Sequence, residues 1–292
     1  MYLVIGGNGF LGSYLIHSIL ENTNEEVIAT ARDVNGLTDS ARIHWEKCDI
    51  RNSGEFDLLM DKVRQAGDVK VFFLAAYHNP DQVSENPHLA WDINVTALSA
   101  CINKLSFCSR IFYASTDSVY GNSYDNYHFK ETDSLHPVNE YGRNKAAAEA
   151  VVTYAGFHVI RFPFLIAPSL VKDKKHFYDK IVMDLLEKKE VQMFCDSYRS
   201  SLNFKTAADL AVRLSLLEEV PQVLNVCGDQ DLSKYDIGLK IADKLGVSRA
   251  LVKPVRLSEN EDIFKTQRAV STLMDNELVK SVLKLDSIGF SV

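Results

Sequence analysis

Gly6-Gly7-Asn8-Gly9-Phe10-Leu11-Gly12 follows directly on the apolar run Tyr2-Leu3-Val4-Ile5, and this junction decides how the rest of the chain is read. A short apolar run that stops in glycines and passes into a helical pattern from Leu11 reads as strand, tight turn, helix. Glycine at positions 6, 9 and 12 permits the turn and lets backbone approach a ligand closely. The free N–H groups and dipole at the helix start favour an anion without any lysine. A glycine turn that only packs helix on strand could use the same residues. The placement after an N-terminal strand instead predicts a dinucleotide site built on Gly6, Gly9, Phe10, Leu11 and Gly12.

Beyond this turn, β-branched and aromatic runs at 2–5, 26–31, 43–47, 70–75, 110–114 and 158–162 alternate with helical stretches at 11–22, 55–65, 87–105 and 140–155. The runs are rich in Val, Ile, Leu and aromatics, as expected of strands covered on both faces. The fold expected is α/β: a Rossmann-type doubly wound parallel sheet over residues 1–165, with a smaller C-terminal substrate-binding part over 166–292. In that second part the pattern predicts a helix ending near Lys189, a strand at 191–194, a helix at 206–217 and a strand at 223–227. A further helix, N-capped by Ser233, is predicted to end near Leu245. No Gly-, Pro- or Ser-rich linker separates the parts, so the second is expected to pack on the first with some chain crossover and a cleft between them.

A formal net charge of -7 on 292 residues, with no stripe of Lys and Arg, argues against a polymeric nucleic-acid partner. The opening apolar run is too short for a membrane span or a signal core, so the expectation is a cytoplasmic protein without membrane association. Five cysteines without a Cys-x-x-Cys pair, and no two histidines four residues apart, predict reduced thiols and no metal.

The second strand ends Thr30-Ala31-Arg32-Asp33. An acid first in this position would bind a ribose 2′-hydroxyl, whereas an arginine accommodates a 2′-phosphate. Arg32 comes first, which favours NADP, and Asp33 keeps NAD open. Asp49 and Ile50 after the third strand, and Leu74, Ala75 and Ala76 after the fourth, fit the edges of the same groove. Taken singly they are ordinary turn and packing residues.

Tyr141 and Lys145 lie four residues apart at the start of a predicted helix, so phenol and ammonium share one face. A phenol of pKa about 10 needs about 4 kcal/mol to ionise near pH 7. One cation at about 4 Å in a medium of effective dielectric about 20 supplies a comparable amount. Tyr141 could then exchange a proton with a carbonyl or alcohol oxygen while Lys145 assists. Chance alone would produce about one such pair in a chain with this many tyrosines. Its position gives it weight, because it follows the hydroxyl-rich turn Ser115-Thr116-Asp117-Ser118, where the fifth strand stops at the carboxyl edge of the sheet.

With these segments in view, the chain resembles the extended short-chain dehydrogenase/reductase family. The likeness rests on the glycine turn, Leu74-Ala75-Ala76, Ser84-Glu85-Asn86-Pro87 running to Asn94-Val95, Ser115-Thr116, the Tyr141/Lys145 pair, Arg161-Phe162-Pro163 and Leu224-Asn225-Val226-Cys227-Gly228. The resemblance implies that Thr116 bonds the reacting sugar oxygen, Tyr141 is the acid/base and Lys145 binds the nicotinamide ribose. It implies too that Asn94 supports the cofactor side, that Tyr77, Asp117 and Arg199 lie on the substrate side, and that the chain forms a homodimer through helices 87–105 and 140–155. Family members act mostly on nucleotide-diphosphate sugars. The dehydratases among them carry an acid where this chain has Ser118, which argues against dehydration. The Ser-Thr-Asp turn and the stretch Gln267-Arg268-Ala269-Val270-Ser271-Thr272-Leu273 are similar to the dTDP-4-dehydrorhamnose reductase branch, with Ala269 in place of its usual proline. Reduction of a 4-keto nucleotide sugar is the activity implied. Epimerisation with retained NAD, and a dinucleotide-binding regulatory subunit without turnover, are the alternatives.

Overall fold

The computed structural model describes residues 1–259 and 263–292. The first part runs β1 (Tyr2–Ile5), α1 (Phe10–Asn22), β2 (Val27–Ala31), β3 (Ile43–Lys47), α2 (Ser53–Val63), β4 (Lys70–Phe73) and α3 (Pro80–Glu85). It continues through α4 (Pro87–Trp91), a π-helical turn (Asp92–Ala97), α5 (Leu98–Lys104), β5 (Arg110–Thr116), β6 (His128–Phe129), α6 (Glu140–Tyr154) and β7 (His158–Phe162). Then come α7 (Phe177–Leu186), β8 (Val191–Phe194), β9 (Tyr198–Arg199), α8 (Phe204–Ser215), β10 (Val223–Asn225) and β11 (Leu232–Ser233). The chain closes with α9 (Lys234–Leu245), β12 (Val252–Val255), β13 (Leu273–Met274) and α10 (Glu277–Leu283).

Seven parallel strands form the main sheet in the order β10-β7-β5-β4-β1-β2-β3. The order reverses between β1 and β4, and a crevice opens beyond the strand ends at such a reversal. Alternation along β1 explains both faces. Tyr2 and Val4 pack with α1 and α8, while Leu3 and Ile5 pack with α2, α5 and α6. A third apolar cluster, under α7 and α9, belongs to the second part. The chain returns to the first part: β10 pairs with β7 in the main sheet, α8 packs on α1, and β13 pairs with β6.

The expected strands 2–5, 43–47, 158–162 and 191–194 have the observed bounds. The others differ for local reasons. β5 continues to Thr116, two residues past the expected end, because Ser115 and Thr116 stay in register with Arg161 and Phe162 of β7. The expected helix 87–105 is interrupted by the π turn at Asp92–Ala97, which carries Asn94. The side-chain amide of Asn94 is bonded to the backbone N–H (2.7 Å) and carbonyl (3.0 Å) of Tyr77. A widened turn of this kind often marks a functional position. Helix α3 was not expected, although Asn79 caps it and Pro80 opens it. Ser233 does cap α9, as the sequence predicts, and Gly246 ends that helix in the left-handed region. Among the described residues no helix is long and apolar enough to cross a membrane.

Candidate functional site

The glycine turn is held by β2: Gly6 N–H donates to Thr30 Oγ1 (3.1 Å) and Gly7 N–H to the Thr30 carbonyl (2.9 Å). Gly6 has φ +91°, where side chains are strained, and a Cβ there would lie 3.0 Å from the Ala75 nitrogen. A Cβ on Gly12 would lie 2.5 Å from the Gly6 carbonyl oxygen, so only glycine lets α1 pack so close to the turn. No side chain caps the N-terminus of α1. Its first N–H groups therefore point out of the helix end without an intrahelical partner, which suits a phosphate.

These residues form one wall of a cavity of about 710 Å³ between the two parts of the chain. Gly6, Gly9, Phe10, Leu11, Gly12, Leu74 and Ala76 line it from the glycine side, and Thr116, Asp117, Tyr141 and Lys145 from the carboxyl end of β5 and the start of α6. Arg199 lines the side contributed by the second part. The structure thus brings together most of the residues singled out in the sequence. Ala75 is packed into the core beneath the turn, and Tyr77 and Asn94 are bonded to each other behind the wall. Ile50 is buried against α2 and α5, beside a smaller separate cavity.

Arg32 and Asp49 line a second, open cavity at the ends of β2 and β3, together with Lys47 and Arg51. Asp49 pairs with Arg51 at 2.6 Å. That hydrogen bond, helped by the nearby charge of Arg32, holds its carboxyl below the usual range. Arg32 itself makes no ion pair among the described residues.

Asn139 caps α6 and points its first turn at the end of β5. The Thr116 hydroxyl donates to Asp117 Oδ1 (2.9 Å) and accepts from the Ser118 N–H (3.2 Å). Burial pushes the Tyr141 phenol well above its ordinary value, the Asp117 carboxylate adds to the rise, and a hydrogen-bonding contact with Thr116 partly opposes it. Lys145 is buried, donates to the Ala114 carbonyl at 2.5 Å and stands 4.0 Å over the Tyr113 ring. Desolvation lowers its ammonium to about 7, against the attraction of Glu149. Loss of water around both groups favours the neutral form of each.

One turn beyond Lys145, Glu149 accepts from Arg161 (Nη2 at 2.6 Å) and from the Ser115 hydroxyl. Arg161 also donates to the Tyr120 hydroxyl (2.6 Å), which bonds Asn225 Oδ1. This buried network ties α6, β5, β7 and β10 together beneath the Thr116 turn. Asp117 is ion-paired with Arg199 at 3.4 Å. The remaining Arg199 donors go to the carbonyls of Tyr198, Val270 and Ala269. The Arg199 guanidinium expected on the substrate side is thus largely committed to holding the 269–270 segment.

Several cavity residues escaped the sequence reading: Lys234, Arg268, Lys174, His78 and the ring wall Phe164, Phe177, Phe194 and Phe264. Lys234 left one trace, as a cation directly after the cap Ser233, where the helix dipole disfavours it. The rings come from separate segments and left none.

A doubly wound sheet carrying a glycine turn, with Thr116, Tyr141 and Lys145 at its carboxyl edge, defines a protein of the extended short-chain dehydrogenase/reductase type. Within that class the chain matches the family described as RmlD substrate binding domain over residues 1–288, and it belongs to that family. It is 32% identical over 161 residues to the low-salt glycan biosynthesis protein Agl12 of Haloferax volcanii, covering 51% of this chain and 50% of that one. The alignments span about half the length of the first curated relatives it matches (50% and 45%). Its fold is that of the dTDP-4-dehydrorhamnose reductase of Bacillus anthracis str. Ames solved with NADP (TM-score 0.80, 18% identity, 99% of this chain and 94% of that one). It is equally that of MoeE5 solved with UDP-glucuronic acid and NAD (TM-score 0.79, 20% identity, 98% and 93%).

Proposed function

We propose that the chain is an NADP-preferring oxidoreductase that reduces a keto group, most simply at C4, of a nucleotide-diphosphate sugar. The observation that carries this reading is a single cavity lined by the glycine turn on one side and by Thr116, Tyr141 and Lys145 on the other. The open N-terminus of α1 and the clearance at Gly6 and Gly12 fit a pyrophosphate. Arg32, which makes no ion pair among the described residues, stands beside the Lys47–Glu55 and Arg51–Asp49 pairs and fits a 2′-phosphate better than a 2′-hydroxyl. A nicotinamide dinucleotide bound there supplies the hydride that makes the new C–H bond.

The chain's own residues supply the rest. Tyr141 gives its phenolic proton to the carbonyl oxygen as that oxygen gains charge, and Thr116 hydrogen-bonds the same oxygen. Lys145, fixed by the Ala114 carbonyl, holds ribose hydroxyls and steadies the phenolate left behind. Ser118 gives the turn no second acid, so water elimination lacks a base.

The test is to mix purified protein with NADPH and a panel of 4-keto nucleotide sugars and follow the loss of nicotinamide absorbance. Turnover with one of them is expected. Absence of turnover across the panel, with NADPH bound, would overturn the reading. NAD retained through purification, with interconversion of sugars and no net nicotinamide oxidation, would point to epimerisation. We further expect a homodimer through the helical faces of α4, α5 and α6, to be checked by light scattering.

A further inference from the structure

Three cations of the second part line the cleft: Arg199, Lys234 and Arg268. Two have acids. Arg199 pairs with Asp117 at 3.4 Å, and Arg268 with Asp81 at 2.9 Å. Lys234 has none. Among the described residues its ammonium makes no ion pair and no hydrogen bond, and its surroundings are the rings of Phe164, Phe177 and Phe194, at 5.5, 5.3 and 5.8 Å.

Apart from the surrounding ring faces, the structure disfavours a lysine here. It is the first residue of α9, where the helix dipole repels a cation. The adjacent acid, Asp236, is engaged in the capping box with the Ser233 N–H (2.9 Å) and hydroxyl (2.6 Å). Arg199 and Arg268 repel it, and with loss of water they lower its ammonium to about 8. Contacts with ring faces offset only part of that cost. Leucine or methionine would suit such an aromatic wall better. A cation kept against these costs at the wall of a ligand-sized cleft has its counter-charge in the ligand.

We propose that Lys234 anchors an anionic oxygen group of the bound nucleotide sugar, either its diphosphate or a carboxylate on the sugar, and so selects ligands by charge. The proposal takes its ligand class from the reading above, but it concerns binding and not hydride transfer. Loss of either can therefore be told from loss of the other.

The test titrates UDP, dTDP, UDP-glucose and UDP-glucuronate into the full chain saturated with NADPH, by calorimetry, for the wild type, Lys234→Met and Lys234→Arg. Lys234→Met is expected to weaken binding at least tenfold. A fall common to all four ligands assigns the diphosphate, and a fall confined to UDP-glucuronate assigns the carboxylate. Lys234→Arg should recover most of the affinity. Lys234→Met should keep its NADPH affinity and melt no lower than the wild type, since it fills the same space without a charge. The proposal is overturned if Lys234→Met binds all four within twofold of the wild type, if it loses NADPH by the same factor, or if the wild type binds none of them. Lys234-dependent binding without reduction of any keto sugar would sink the proposed reaction and leave the anchor standing.

Discussion

Replacing Lys145 with methionine should change not only the stability of the protein but also how that stability depends on pH. An exposed lysine titrates at 10.5, and burial lowers Lys145 to about 7. Between these values the unfolded chain holds the proton and the native one sheds it. Stability therefore rises with pH across this window, and the full penalty of burying the ammonium is felt below pH 7. At pH 7 the native amine holds about half a proton and the unfolded one a full proton, while at pH 9 the native amine holds almost none. Integrated at about 1.4 kcal/mol per proton per pH unit, the wild type gains about 2 kcal/mol from this group between pH 7 and 9. Methionine has nothing to titrate. The difference in unfolding free energy between wild type and Lys145→Met should thus move by about 2 kcal/mol over that interval, a shift on the order of 5 °C in relative Tm. Denaturant unfolding of both proteins at the two pH values measures it, and every other titrating group cancels in the subtraction. A difference that stays constant to within about 0.5 kcal/mol would refute the claim that the amine is held partly neutral by its surroundings.

Three further outcomes follow from the site. Tyr141→Phe should lower kcat for keto-sugar reduction by about 10²- to 10⁴-fold, with NADPH affinity retained; steady-state rates and a cofactor titration check both parts. Arg32→Ala should weaken NADPH at least tenfold while leaving NADH nearly unchanged, and equal losses for the two would remove the 2′-phosphate assignment. Glu149→Gln leaves the buried Arg161 guanidinium without its countercharge, so thermal or urea unfolding should show a loss of about 3–5 kcal/mol.

The glycine turn and the buried strands were legible because each is local: a run such as Val27–Ala31, apolar on both faces, can be read without knowing its neighbours. Element ends were less legible where contacts from elsewhere set them. The helix expected over 87–105 broke because Asn94 reaches Tyr77, 17 residues away. β5 ran on through Thr116 because Ser115 and Thr116 pair with Arg161 and Phe162 of β7, a strand more than 40 residues away. The role of Arg199 was legible only in type: a cation near the cleft could be expected, but not that three backbone carbonyls and Asp117 would occupy it. Lys234 shows the limit most clearly. Its significance lies in its lack of an ion pair among the described residues, and only folding brings Phe164, Phe177 and Phe194 around it.

The shifts at Tyr141 and Lys145 also bear on the direction of the reaction. An acid that must protonate a carbonyl oxygen near neutral pH has to arrive protonated, and burial together with the Asp117 carboxylate keeps the phenol in that form. An epimerase must begin the other way, by taking a proton from an alcohol, which calls for a phenol already brought toward ionisation. In this protein the cation that could do so is bonded to the Ala114 carbonyl and held near its own titration point. Burial thus keeps the phenol protonated, the form in which the proposed reduction needs it, and the same burial makes it a weak acid that gives up its proton only as the carbonyl oxygen gains charge.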